Sequence, residues 1–150
     1  LARENRNAPA AASPAGPEPE LKPEAERLAE QLLKAGSDLF DAKRADALAA
    51  SYTEDGELHL VDTRDGRSRT TRGRASIAKL YREAFQNAGT IDSENRVDFA
   101  RFVSPEMLVI QGRFRPDLKE REYAFVQVRV KQGNTWLLSK LQLFLTPREP

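Results

Sequence analysis

The sequence predicts an α+β domain, with three helices in the N-terminal half packed on an antiparallel sheet. Two patterns support this fold class. Apolar residues recur at three- and four-residue steps in segments before residue 90, and long strand-like segments joined by short turns fill residues 96–145. A chain of 150 residues is long enough to form one domain with its own core. We expect this domain to cover residues 24–147.

Residues 1–23 are predicted to be a disordered tail rich in Pro and Ala. They contain five of the nine prolines and only two large aliphatic residues, Leu1 and Leu21. Such a segment cannot bury enough apolar surface to offset the entropy that ordering would cost. This tail and the missing N-terminal Met favour an exported protein, periplasmic or extracellular, over a cytoplasmic one. The alternative is a terminal extension without function.

Three helices are predicted in the first half of the chain. The first begins at the Pro23 edge, and Gly36 in its apolar stripe indicates that another element packs closely there. The second covers residues 45–52, and the third covers residues 74–88 with Gly89 as its C-terminal glycine. Their stripes consist of Leu28, Ala29, Leu32, Leu33, Leu39 and Phe40, then Ala45, Leu48, Ala49 and Tyr52, then Ile77, Leu80, Tyr81, Ala84 and Phe85.

The predicted strands begin after a turn at residues 53–56. Residues 57–62 alternate, with Leu58 and Leu60 on one face and His59 on the other. Residues 62–73 form a polar, arginine-rich loop in this prediction. Four further strands cover residues 96–103, 107–114, 122–130 and 135–145, and their short turns predict antiparallel pairing as a meander.

The two faces of the predicted sheet differ in composition. One is almost wholly aliphatic, so we expect it to meet the helices and form the apolar walls of a pocket. The other mixes aromatic with polar residues, which is typical of solvent or a partly wet homodimer interface. The predicted ligand-binding walls are Leu58, Leu60, Ile110, Phe114, Val126, Leu141 and Leu143. The predicted outer face carries Tyr123, Phe125, Gln127, Arg129, Trp136, Lys140 and Gln142.

This order of elements resembles the nuclear-transport-factor-2-like superfamily, in particular its SnoaL-like branch. The resemblance covers about residues 24–146 and is carried by LFD at 39–41, ADALAASY at 45–52, EDGEL at 54–58, RGRASI at 72–77 and TWLL at 135–138. It implies a strongly curved sheet that curls around the helices into a cone with a pocket at its open end. It also implies a homodimer through the opposite face of the sheet. The superfamily includes isomerases, cyclases, dehydratases, epoxide hydrolases and non-enzymatic modules, so the fold alone does not assign a function.

The catalytic residues of ketosteroid isomerases, which belong to this superfamily, are not matched. Aligned with them, Leu60 stands at the position of the general base, with Asp62 two residues further on. Gly36 stands where the tyrosine oxyanion donor lies, and Val126 stands near the second donor. We therefore do not expect ketosteroid isomerase activity.

Three residues are candidate catalytic groups. Asp62 follows Leu58 and Leu60, so aliphatic walls could raise its pKa and make it a base. The alternative is a strand-end aspartate that hydrogen-bonds the next turn. Tyr52 and Tyr81 lie on apolar helix faces, where each phenol either donates to a ligand or is a core residue with a satisfied hydroxyl.

The arginine-rich segment is the argument for an anionic ligand. Arg67, Arg69 and Arg72 carry guanidinium groups suited to phosphate or carboxylate. However, the 24 Lys and Arg residues of the chain are nearly balanced by 23 Asp and Glu residues, and no aromatic residues are interleaved with the arginines. A solvated loop with local ion pairs is the alternative, and we do not expect nucleic-acid binding.

Composition excludes several kinds of site. Without cysteine there is no thiolate metal site and no cysteine nucleophile, and His59 is the only histidine, with no partner at metal-ligand spacing. We expect no metal, and no nucleotide cofactor because no glycine-rich phosphate loop is present. No segment approaches the run of about 20 apolar residues that a membrane span needs. His59 is predicted to lie on the surface or in an interface.

The sequence therefore predicts a small-molecule-binding domain whose apolar pocket takes a small hydrophobic compound. It would be a binder or an isomerase-, cyclase- or hydrolase-type enzyme that works without metal or nucleotide. The alternative is a non-catalytic dimerisation or protein-interaction module.

Overall fold

A computed structural model describes residues 18–117 and 121–146, with side chains described from Pro23 onwards. The helices are α1 (Glu18–Asp41), α2 (Ala45–Ala50) and α3 (Arg74–Phe85). The strands are β1 (Tyr52–Asp62), β2 (Arg67–Arg72), β3 (Glu94–Ser104), β4 (Met107–Arg115), β5 (Glu122–Gln132) and β6 (Thr135–Thr146). No helix within these ranges is both long and apolar enough to cross a membrane.

The strands form one curved, unclosed sheet in the order β2-β1-β6-β5-β4-β3. Strands β3 to β6 pair as the predicted antiparallel meander. Strand β1 is antiparallel to β2 but parallel to β6. The parallel pairing places β1 inside the sheet, between edge strand β2 and β6, so the α+β prediction is confirmed with one parallel neighbour pair.

The helices cover the concave face of the sheet. Helix α1 packs along β3, and α2 and α3 pack on each other. Ala25 and Ala29 are fully buried, because small side chains let α1 approach the sheet closely. The core they share with the sheet includes Leu33, Ile77, Ala100, Leu108, Ile110, Leu138 and Leu141.

Helix α1 begins earlier than the sequence predicted. It starts at Glu18, so residues 18–23 of the predicted tail belong to the helix, and Pro23 lies inside it. A proline there removes one backbone hydrogen bond, which the rest of a 24-residue helix tolerates. Residues 1–17 of the predicted tail lie outside the described residues.

Two predicted connections are strand instead. The turn predicted at residues 53–56 is part of β1, whose pairing with β6 shifts register between Tyr52 and Glu57. Tyr52 is therefore a strand residue and does not end the second helix. Residues 67–72 of the predicted loop form edge strand β2, because β1 supplies hydrogen-bond partners for their backbone.

Two interpretations of glycines are wrong. Helix α3 ends at Phe85, and Gly89 does not adopt the left-handed conformation expected of a C-terminal glycine. A methyl group built on Gly36 would meet no atom within 4 Å, so no other element packs closely there. Gly36 borders empty space, which the next subsection describes.

The predicted faces of β5 are reversed. Phe125, Gln127 and Arg129 are buried under the helices, whereas Val126 is half-buried on the outer face. The register sets this arrangement, since Gln127 lies between Ile110 of β4 and Leu141 of β6. Val126 is therefore not a wall of an inner pocket, and Phe125, Gln127 and Arg129 are not part of an outer interface.

An extra residue in β6 changes its facing halfway along the strand. Arg129 pairs with Leu138 and Val128 pairs with Lys140, which leaves Ser139 as a bulge. Leu138 and Leu141 consequently both face inwards. The prediction that Leu141 and Leu143 share the inner face holds, and Lys140 and Gln142 lie outside as predicted. Trp136, predicted outside, packs against the core.

Candidate functional site

A cavity of about 660 Å³ lies between the helices and the concave face of the sheet. Its volume falls within the range of about 300–1,000 Å³ that is usual for small-molecule sites. Gly36 and Phe40 of α1 line it, as do Leu80 and Phe85 of α3. The sheet contributes Leu58, Leu60, Phe114, Phe125, Leu138, Leu141 and Leu143.

Five of the seven predicted wall residues line this cavity, namely Leu58, Leu60, Phe114, Leu141 and Leu143. The other two do not. Ile110 faces inwards but is completely buried in the core. Val126 lies on the outer face of β5.

Tyr52 and Tyr81 meet in the cavity wall. Their hydroxyl oxygens are 3.0 Å apart, and the Tyr81 ring stacks on Phe85. Tyr52 is 0% exposed. Burial raises the pKa of Tyr52 well above its ordinary value and raises the pKa of Tyr81, so both phenols keep their protons at neutral pH. One proton lies between the two oxygens, which leaves the other O–H to donate to a ligand.

Gln127 is the second polar group of the wall. It is 7% exposed, and its Oε1 accepts a hydrogen bond of 3.0 Å from Nε of Arg129. This donor assigns the orientation of the amide. Among the residues that the structure describes, no acceptor is bonded to the Gln127 Nε2 group. The amide therefore has N–H groups available at the cavity.

Arg129 lies behind Gln127 in the same strand. It is 5% exposed, and its second hydrogen bond runs from Nη1 to the backbone oxygen of Trp136 at 3.3 Å. Within the described ranges, no carboxylate is in ion-pair distance of it. Burial lowers the pKa of Arg129 to about 10, so the guanidinium is still cationic at neutral pH.

The sequence prediction missed Gln127 and Arg129 as site residues. It assigned the inner face of β5 to the valines, because aliphatic residues usually face the core. One signal was present. In β5, Val alternates with Phe, Gln and Arg. This pattern is also compatible with a strand whose valines point outwards and whose polar residues are buried.

Asp62 is not a cavity residue. It ends β1 at the surface, where Arg64 donates from Nε to Oδ1 at 2.9 Å and from Nη2 to Oδ2 at 2.7 Å. These hydrogen bonds lower the pKa of Asp62 to about 2. The hypothesis of a base with a raised pKa is therefore wrong, and the alternative of a strand-end aspartate describes it.

The arginines of the β1–β2 hairpin do not line the cavity either. Arg67 is 3.6 Å from Asp65, and Arg72 contacts Glu57. Arg69 has no acidic partner among the described residues. Most of this positive charge is compensated locally, as the alternative interpretation expected.

His59 lies on the outer face of β1, opposite Leu58 and Leu60 as predicted. Its Nε2 is 2.8 Å from Oε1 of Glu57, and its Nδ1 is 2.9 Å from the hydroxyl of Thr70. Nowhere in residues 18–117 and 121–146 do three metal-ligating side chains come together.

The cavity opening carries charged residues. Asp117 and Arg121 line it and are 3.6 Å apart, and the Asp117 side chain is 46% exposed. Tyr123 also lines the cavity and stacks on Phe114. The polar wall thus has a buried inner end, formed by Tyr52, Tyr81 and Gln127, and a charged opening. Five further polar residues line the cavity, namely Ser37, Ser51, Asn87, Thr90 and Asn95.

Comparison with known proteins identifies similar domains. The model of a SnoaL-like domain family matches residues 24–141. No curated protein matches the chain.

Solved structures share the fold at low sequence identity. A domain of unknown function with a cystatin-like fold from Nostoc punctiforme is 19% identical over 83% of this chain and 79% of its own, with a TM-score of 0.67. An NTF2-like protein from Novosphingobium aromaticivorans is 21% identical over 81% of this chain and 82% of its own, with a TM-score of 0.61. A ketosteroid isomerase-like protein from Erwinia carotovora atroseptica is 16% identical over 79% of this chain and 94% of its own, with a TM-score of 0.62.

Proposed function

Because this chain belongs to the SnoaL-like domain family, we propose that its cavity binds a small, mainly apolar molecule with a hydrogen-bond acceptor at one end. The acceptor lies against Tyr52, Tyr81 and Gln127. The observation that carries this proposal is the pair of buried donors at the inner end of a largely apolar cavity.

The apolar walls supply affinity. Leucine and phenylalanine side chains surround a space of about 660 Å³, and a ligand that fills it removes apolar surface from water. Each Å² of such surface contributes about 25 cal/mol before the costs of association are subtracted. The walls therefore favour a compound with a substantial hydrocarbon part.

The polar end supplies orientation. The free O–H of the tyrosine pair and the Nε2 group of Gln127 are both donors. A buried donor without a partner costs about 1–3 kcal/mol, so a ligand oxygen that accepts from them is favoured over a hydrocarbon of the same shape. A carbonyl or carboxylate oxygen meets this requirement.

Binding is favoured over isomerisation that uses a carboxylate base. In the part of the wall that the structure describes, the only carboxylate belongs to Asp117. It is half-exposed at the opening and is not part of the polar inner end. The polar end can stabilise negative charge on a ligand oxygen, but the described residues supply no buried carboxylate beside it to take a proton.

The proposal is tested with two probes of similar shape, 2-acetylnaphthalene and 2-isopropylnaphthalene, titrated by calorimetry. We expect the ketone to bind about tenfold more tightly, which corresponds to about 1.4 kcal/mol for one hydrogen bond. Tyr81→Phe should reduce this preference, because it leaves Gln127 as a donor, and it should leave the hydrocarbon's affinity unchanged. Tyr123→Phe is the matched control, because Tyr123 lines the opening with its ring stacked on Phe114 and is not part of the polar inner end. Absence of binding for both probes would refute the proposal.

A second pair of variants tests which face of the sheet binds. Leu143→Ala removes part of the cavity wall and should weaken the binding of both probes. Val126→Ala changes the outer face of the sheet and should leave their binding unchanged. Equal effects of the two substitutions would contradict a site on the concave face.

Homodimerisation through the outer sheet face is a second candidate function. Ala124 pairs with Phe144 there, and Val126 and Val128 continue the same face of β5, all half-buried and uncovered by any described helix. A second copy of the chain would cover these apolar side chains. Sedimentation velocity should detect a dimer that Val126→Arg dissociates. A wild-type monomer at high protein concentration would rule this out.

A further inference from the structure

The guanidinium of Arg129 is a buried cation without a counter-ion in the described structure. Its two hydrogen bonds reach neutral oxygens, Oε1 of Gln127 and the backbone oxygen of Trp136. A buried charge is stabilised when a charge of opposite sign lies nearby, and the neutral acceptors supply only part of that stabilisation.

The nearest groups of the cavity do not neutralise it. Tyr52 and Tyr81 are close enough to interact electrostatically with Arg129, but burial keeps both phenols protonated. Arg129 therefore lies behind a layer of neutral donors, and its positive charge acts on whatever atom those donors contact. In a site shielded from water this attraction is much stronger than at the surface.

We infer that the acceptor end of the ligand is a carboxylate, so that the cavity takes apolar monocarboxylic acids. This inference rests on the proposed binding site and specifies its ligand class. One carboxylate oxygen accepts from the tyrosine pair and the other from Gln127, and the single negative charge balances Arg129.

The donor set fits a carboxylate better than a phosphate. The tyrosine pair and Gln127 can donate to the two oxygens of a carboxylate, and its one negative charge matches the one positive charge of Arg129. A phosphate dianion would bring a second negative charge into an apolar cavity. Desolvating an ion without a matching partner costs several kcal/mol. The single cation at the inner end of the cavity thus favours monoanions there.

The test compares 2-naphthoate with the neutral 2-naphthamide, which has the same shape, by calorimetry at pH 7. We expect 2-naphthoate to bind about tenfold more tightly or better, a difference of at least about 1.4 kcal/mol. Arg129→Met should abolish this preference, because it removes the charge and keeps much of the side-chain volume. Arg129→Lys should retain it, because it keeps the charge.

A measurement on the unchanged protein covers the case in which these variants fail to fold. The carboxyl carbon of 2-naphthoate is labelled with ¹³C, and its chemical shift is followed against pH in the bound and free compound. The inference predicts a lower pKa in the bound state. A higher bound pKa, or equal affinity for acid and amide, would overturn the carboxylate inference while leaving the proposed cavity site intact. Absence of binding by the acid, the amide and the ketone alike would instead remove the proposed function.

Discussion

The hydroxyl oxygens of Tyr52 and Tyr81 lie 3.0 Å apart across a sequence separation of 29 residues. Tyr52 opens β1 and Tyr81 lies in α3, so their hydrogen bond joins the sheet to the helical layer at the buried end of the cavity. One contact therefore contributes to both stability and ligand recognition.

Removing either hydroxyl should destabilise the fold. Tyr52→Phe and Tyr81→Phe each leave the remaining hydroxyl without its partner, which costs about 1–2 kcal/mol in the free energy of unfolding. The double variant should cost less than the sum, since no orphaned hydroxyl remains. Urea denaturation of the four proteins measures this coupling, with Tyr123→Phe as a control expected to be near neutral. Strictly additive effects would show that the hydroxyls do not interact.

The stabilisation that the two tyrosines provide should fall in alkaline solution. The folded state raises the pKa of both tyrosines, so it retains protons that the unfolded chain releases near pH 10. Arg129 acts in the opposite direction in this range, because its pKa is lowered to about 10. The contribution of the two tyrosines to the free energy of unfolding decreases as pH rises above about 10, since the unfolded state then binds fewer of their protons. The stabilisation is fully present below that pH. Urea denaturation between pH 8 and about 11 should show this decline, and the double Phe variant should show a shallower one. Equal slopes would be inconsistent with ionisation of this pair.

Asp62→Asn should leave ligand binding unchanged. Its carboxylate pairs with Arg64 outside the cavity. Because its pKa is lowered from 3.8 to about 2, Asp62 stabilises the fold above about pH 4, and this contribution is lost as pH falls through about 2. The Asn variant should lose this part of the acid dependence, which a denaturation series from pH 5 to about 2 detects. Loss of naphthalene-probe binding in this variant would restore Asp62 as a site residue.

Two Gly→Ala substitutions should have opposite effects. A methyl group on Gly112 would collide with the backbone oxygen of Arg96 and the ring of Phe125, so we expect a loss of about 3 kcal/mol. The same change at Gly36, inside α1 with open space beside it, should stabilise the helix by about 0.5–1 kcal/mol. Thermal denaturation compares the two. Destabilisation by Gly36→Ala would indicate that this position is packed after all.

The sequence indicated most strands, but it indicated their facing only for some, such as residues 57–62. Residues 107–114 and 122–130 were predicted within two residues of the strand ends, because alternation and short polar turns are local signals. Leu58 and Leu60 were correctly predicted to line the cavity, and their side of β1 follows from a simple alternation of Leu with polar residues.

Val126 and Gln127 show that local sequence signals do not determine which face of a strand is buried. Alternation separates the two residues onto opposite faces, but it does not say which face the helices cover. That choice depends on pairing with β4 and β6, and the bulge at Ser139 changes the facing of β6 as well. The assignment of Tyr52 to a helix is wrong for a similar reason, since its strand partner, Leu138 of β6, lies far away in the sequence.

The sequence by itself determined the α+β class, the order of the three helices and of every strand except β2, and the apolar character of most cavity walls, because these depend on periodicity within single segments. Only the tertiary structure decided that Gln127 and Arg129 face inwards and that the hydroxyls of Tyr52 and Tyr81 meet. Those relationships depend on register and on contacts between segments far apart in the chain. They turn an apolar space into a site with a polar, positively charged end.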